Sequence, residues 1–150
     1  LSEGGKGGAM DDILEIKALI KRQFTSLSWP NGGTGNWQAF SNDFLDDAVL
    51  YPAARPVHSQ SVSAFLTRMK GIAGKELQSL DEAVLGTNVT VFGNIAVAIA
   101  VCAMKENGTT ENRTVEMLLL VKDQGSWRIA AQAWDRASET NPVPAQFLTS

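Results

Sequence analysis

The sequence predicts an α+β domain with its helices in the first half and its sheet in the second. Apolar residues recur at spacings of three and four as far as about residue 70, and at every second position thereafter. The breaks Gly93-Asn94, Asn107-Gly108 and Gln124-Gly125 divide the second half into four strand-like runs. Strands joined by such short turns form an antiparallel meander, and helices packed on one face bury it.

A chain of 150 residues fits one domain. With 44% apolar and 19% charged residues it is too apolar and too weakly charged to stay unfolded in solution. Its 13 Lys+Arg against 16 Asp+Glu give a net charge of -3 and no basic run, so nucleic acid is not an expected partner. The lone Cys102 has no second cysteine for an internal disulfide, and one Cys with one His makes no structural metal site. No cofactor is expected. The longest strongly apolar run, Ile95 to Met104, is about half a bilayer span, and the start has no basic-then-apolar leader pattern. A reducing, cytoplasmic location without membrane contact is the expectation.

Residues 1–9 hold four glycines and no periodicity, and read as a flexible arm or cloning remnant before a single domain over 10–150. From Asp11, the apolar positions Ile13, Ile16, Ile20, Phe24 and Leu27 mark one helical face. The run Trp29 to Asn36 is dense in turn formers. Asn36 then caps a short second helix with Trp37, Phe40 and Phe44 on one side. Ala48 to Tyr51 reads as a short strand stopped by Pro52, and Arg55 to Ser59 as a continuing edge hairpin. A third helix is expected from Ser61 to Lys70, stopped at Gly71.

If Asn107-Gly108 and Gln124-Gly125 are both two-residue turns, Ile99 lies opposite Glu116 and Glu116 opposite Ala133. One face then carries Ile95, Val97, Ile99 and Val101 around Glu116, while the small residues Ala96, Ala98, Ala100 and Cys102 lie on the other and suit close approach by another layer or a second subunit. Glu116 is the informative polar residue on this reckoning. Loss of water raises a carboxyl's pKa toward the range useful for proton transfer, although a buried carboxylate can equally serve structure through an arginine, Thr114 or Tyr51. Two more residues are candidates for the chemistry: His58, the only histidine, and Tyr51, at a strand end. Both also have plain readings, as a surface side chain and a cover on the core edge. Trp37, Ile99, Thr114, Leu118, Ala133 and Asp135 are the candidate substrate-binding residues. Arg55 and Arg113 suit an acidic ligand or ordinary ion pairs, and Asp43, Asp46 and Asp47 read as solvated charges. Gly32 to Gly35 lacks the Gly-Lys-Ser/Thr of a phosphate loop.

A long helix, a short Trp-bearing helix, Asp46-Asp-Ala-Val-Leu-Tyr-Pro52, a third helix and a meander ending in Gly125-Ser-Trp-Arg-Ile-Ala-Ala-Gln132 resemble the nuclear transport factor 2-like superfamily. Within it, Asn88-Val-Thr-Val-Phe-Gly-Asn-Ile-Ala-Val97 and Arg113-Thr-Val-Glu-Met117 are similar to SnoaL-like and SgcJ/EcaC-type proteins. The resemblance implies a strongly curved antiparallel sheet closed by the helices into a cone around a pocket, and a homodimer formed through the outer sheet face. In the polyketide cyclases and ketosteroid isomerases of this kind, carboxylates and a tyrosine do acid and base work in such a pocket. Here Phe24 stands where the isomerases have a helix-one tyrosine, and Tyr51-Pro52 where they have Asp-Pro. Two functions follow. One is a cofactor-free lyase, isomerase or cyclase acting by proton transfer on a small apolar carbonyl compound, with Glu116 as acid or base and Tyr51 or His58 as hydrogen-bond donor. The other is a non-catalytic homodimeric ligand-binding or association module.

Overall fold

The computed structural model describes residues 8–149. The expected arm falls outside them except for residues 8 and 9, which belong to the first helix, α1 (Gly8–Ser26). Ile16, Leu19, Ile20, Gln23 and Phe24 form its buried stripe, continued by Leu27. Each large apolar side chain so buried contributes on the order of 2 kcal/mol. The second helix, α2 (Trp37–Asn42), starts where Asn36 accepts a hydrogen bond from the Ala39 N–H at 3.1 Å. Phe44, expected on this helix, instead opens β1 (Phe44–Tyr51). Residues 52–59 are irregular, β2 is only Gln60–Ser61, and α3 (Val62–Ile72) is capped by Ser61 and runs through Gly71. The strands β3 (Leu80–Phe92), β4 (Ile95–Glu106), β5 (Asn112–Asp123) and β6 (Ser126–Arg136) complete the expected meander.

The result is an α+β fold of three helices and a curved, open six-stranded sheet in the order β2-β1-β6-β5-β4-β3. Its one departure from antiparallel pairing is β1 against β6, because the last strand of the meander returns beside the first strand of the chain. The turns at Gly93-Asn94 and Gln124-Gly125 are two-residue hairpins, with Phe92 opposite Ile95 and Asp123 opposite Ser126. Gln124 at φ 52° and Gly125 at φ 80° match the twist of the strands that they join.

The expected register is corrected on both sides of β5. Between β4 and β5 the connection is a five-residue loop, 107–111, so Glu116 faces Ala100 and Ile99 faces Met117. Between β5 and β6 a bulge shifts the pairing after Leu120–Ile129, which puts Trp134 opposite Glu116 and Ala133 opposite Met117. A one-residue slip turns every side chain of a strand over. The small residues Ala96, Ala98, Ala100 and Cys102 therefore face the helices and are buried, where their size leaves room for α1, while Ile95 and Val97 point outward, each 53% exposed. The subunit-facing role expected for the alanine face is overturned. The outer face is instead the bulky one, with Met117 51% and Leu119 46% exposed. At its β3 end the segment Ala145–Leu148 folds back against β3 and β4.

Candidate functional site

Between α1, α2, α3 and the inner face of the sheet lies a cavity of about 200 Å³. Phe40 and Phe65 stack at 5.5 Å, and Trp134 meets Phe65 edge-on at 6.0 Å, so an aromatic wall crosses it from α2 to β6. Glu116 reaches this cavity from β5. It is 7% exposed and holds no cation: Gln132 Nε2–H donates to Oε1 at 2.8 Å, and Thr114 Oγ1–H to Oε2 at 3.0 Å. The Gln132 amide is fixed in turn by Gln23 of α1, through reciprocal amide hydrogen bonds of 2.8 and 3.0 Å. Desolvation pushes the Glu116 carboxyl up to about 7 against the pull of its two donors.

A second carboxyl lines the same cavity. Glu82, on β3, is held well above the ordinary range by desolvation first and then by the charge on Glu116. Burial thus favours the protonated form of both carboxyls, and a neutral carboxyl in an apolar cavity can donate a hydrogen bond. Nothing in the sequence reading singled out Glu82, yet a signal was present, since it sits two positions from buried Leu80 and hence on the same strand face. Gln23 was also missed; it falls three residues after Ile20 and four before Leu27, on the apolar stripe of α1. Burial likewise drives the Cys102 thiol upward, which leaves it protonated.

A vestibule of about 520 Å³ adjoins the cavity and shares Arg68, Met104, Thr114, Trp134 and Arg136 with it. His58 and Asp135 line this vestibule. Of the other candidates named from the sequence, Thr114 touches Glu116, and Leu118 is buried in the core. Trp37 packs edge-on against Trp29 at 5.7 Å and does not line the cavity. Tyr51, Ile99 and Ala133 lie on the outer face of the sheet, along a shallow groove with Met117 and Leu119. The structure therefore brings Glu116 and Thr114 together, sets His58 and Asp135 at the approach, and puts Tyr51 on the far side of the sheet. Arg55 donates to the carbonyls of Pro52, Ala53 and Ala54, and Arg113 pairs with Glu111 at 3.3 Å. Asp43, expected in solvent, is buried and takes two hydrogen bonds from Arg22, at 2.7 and 3.1 Å. Among the described residues no cluster of three or more His, Cys, Asp and Glu has a metal-holding arrangement, and no helix is long and apolar enough to cross a membrane.

The profile of the SnoaL-like domain matches residues 33–133. Comparison with curated proteins returned no match. Among solved structures, an NTF2-like protein with a cystatin-like fold from Novosphingobium aromaticivorans superposes at a TM-score of 0.70, with 18% identity, covering 88% of this chain and 87% of its own. From the same organism, a protein provisionally described as an aromatic ring hydroxylase gives 0.69 at 12% identity, covering 86% and 91% of the two chains. A third, provisionally described as a scytalone dehydratase, gives 0.66 at 10% identity over 86% of each. At these identities the likeness is one of fold.

Proposed function

This chain belongs to the SnoaL-like domain family, and from that premise we propose that it is a small-molecule pocket protein whose reaction is a cofactor-free proton transfer on an apolar carbonyl compound, of the lyase, isomerase or cyclase type. The observation that carries this reading is Glu116, a buried carboxyl that reaches an aromatic-walled cavity and forms no ion pair among the described residues, so that desolvation pushes it up to about 7. A base whose pKa lies near the working pH exchanges a proton in both directions at least cost. Glu116 takes the proton from the carbon next to the carbonyl, and the negative charge that develops on the carbonyl oxygen accepts a hydrogen bond from Glu82, whose neutral form burial favours. Return of the proton to another carbon gives isomerisation; loss of a leaving group gives the lyase outcome.

Both protonation states of Glu116 are accommodated by its neighbours. The Gln132 amide is pinned by Gln23 and only donates, so the mobile proton belongs on Oε2, where the Thr114 hydroxyl can reverse from donor to acceptor. Tyr51 has no part in this reading, and His58 stands at the vestibule, where it meets a ligand on its way in.

The test is a thermal-shift screen against aromatic polyketide-like and steroid-like ketones, followed by deuterium exchange of the α-hydrogens of each compound that binds. Glu116→Gln is expected to bind these compounds and lose the exchange. Unchanged exchange in that variant contradicts the assignment.

A second reading, as a homodimer, is favoured by the outer face, where Val97, Met117 and Leu119 form an exposed apolar surface. A homodimer joined there buries that surface, and Met117→Glu is expected to yield a monomer by light scattering. The buried free thiol of Cys102 suits a reducing compartment, and the cytoplasm is the location we propose.

A further inference from the structure

The passage from vestibule to cavity is flanked by two arginines that nothing above has used. Arg68, on α3, and Arg136, at the end of β6, line both spaces, and both side chains are exposed. Among the described residues no carboxylate forms an ion pair with either guanidinium. Two acids share the rim, Glu106 and Asp135, and the Asp135 carboxylate is turned to its neighbour's backbone, accepting the Arg136 N–H at 2.9 Å. Arg68 is held over the Phe65 ring at 5.6 Å, at one end of the aromatic wall.

We propose that the ligand is a small carboxylic acid with an aromatic or aliphatic body, its carboxylate held between Arg68 and Arg136 at the mouth and its body lying inward against Phe40, Phe65 and Trp134. This rests on the cavity being the ligand site but not on Glu116 acting as a base. Arginine presents a planar fork of donors that fits a carboxylate with two parallel hydrogen bonds. Inside, burial favours the protonated forms of Glu82 and Glu116, which lessens the negative charge that an anionic ligand meets below pH 7. Apolar walls within and two cations at the mouth suit an amphipathic acid and discriminate against a neutral molecule of the same shape.

The experiment is isothermal titration calorimetry at pH 6 with benzoate, phenylacetate, 3-phenylpropionate and 4-phenylbutyrate, each against its primary amide, so that shape is matched and charge is varied. At least one acid is expected to bind about tenfold or more tightly than its amide. Arg68→Gln combined with Arg136→Gln is expected to abolish that preference while leaving the melting temperature and the affinity for the amide unchanged, since both side chains are exposed. Glu116→Gln is expected to keep the preference. Failure of every acid to bind more tightly than its amide overturns the proposal, as does a preference that survives in the double variant. If the preference is confirmed while deuterium exchange is indifferent to Glu116→Gln, carboxylate recognition stands and the proton-transfer reading falls.

Discussion

Gln132 donates one amide hydrogen to Oε1 of Glu116 at 2.8 Å and the other to Oε1 of Gln23 at 3.0 Å, which couples a carboxyl on β5 to helix α1 across the core. Both hydrogens of one buried amide are thereby satisfied, and the carboxyl keeps its second oxygen for Thr114. The network orients Glu116 without neutralising it. An arginine in the place of Gln132 would hold the carboxylate charged at all useful pH values.

Replacing Glu116 by Gln makes stability less dependent on pH. The folded state holds the Glu116 proton up to about pH 7, while the unfolded chain releases it near the ordinary value of 4.5. The native state therefore binds more protons across that interval, and its stability is full below 4.5 and declines as pH rises through 7. The loss amounts to about 3 kcal/mol. Urea denaturation is expected to show Glu116→Gln equal to wild type at pH 4.5 and more stable at pH 8.

Gln132→Leu removes a donor that holds the Glu116 pKa down and leaves the Gln23 amide without its partner. The Glu116 pKa is expected to rise by about one unit, and stability at pH 8 to fall by about 1–3 kcal/mol. Thr114→Val, which removes only the other donor, is expected to raise the pKa in the same direction. Carbon-detected NMR titration of the labelled glutamates reads both shifts.

The start of α1 is tied to the β5–β6 hairpin by Asp12, whose Oδ1 accepts from Lys122 Nζ and from the Trp127 indole N–H, each at 2.9 Å. Burial by itself would raise this carboxyl, yet the two donors and the lysine charge hold it below its ordinary value of 3.8. Its contribution is present above that value and is lost as pH falls through the lowered pKa. Asp12→Ala is expected to cost about 1.5–3 kcal/mol at pH 7, where it strands the indole N–H, and less than that near pH 2, as measured by urea denaturation.

Gly86 is where the C-terminal segment crosses the sheet. A Cβ there would meet the Phe147 carbonyl oxygen and lie 2.8 Å from the Leu148 backbone. Asn88, nearby on β3, donates toward the carbonyls of Gln146, Phe147 and Thr149. Gly86→Val is expected to displace the segment and make it cleavable under limited proteolysis, with the bond after Phe147 cut by chymotrypsin while the meander stays intact.

Much of this architecture is legible in the chain. Ile16, Ile20, Phe24 and Leu27 announce the buried side of α1, and Gly93 and Gly125 announce two hairpins, because helical periodicity and positive-φ turns depend on neighbouring residues alone. The register of β5 is not legible in that way. The Asn107-Gly108 turn closes as its residues announce, with Thr109 N–H donating to the Glu106 carbonyl at 3.0 Å, but strand pairing resumes only at Met104 and Asn112, and the bulge on β6 falls among Ile129, Ala130 and Ala131, none of which marks an extra residue. Each slip inverts a strand, which is why Ile99 and Ala133 lie outside and Trp134 inside. Glu116 kept its inward place because Thr114, Glu116, Leu118 and Leu120 alternate within a single strand. Convergence of Glu82, Arg68 and Arg136 on one cavity depends on the packing of α3 against the far strands, which no local pattern encodes.

The pKa of Glu116, read by carbon-detected NMR on the glutamate-labelled protein with Glu116→Gln supplying the assignment, tests the central claim most directly. A titration midpoint near 7 is predicted for Glu116, together with a midpoint above the ordinary carboxylate range for Glu82. A Glu116 midpoint at or below the ordinary 4.5 would contradict the account, since the cavity would then not have raised the basicity of the carboxylate that takes the proton.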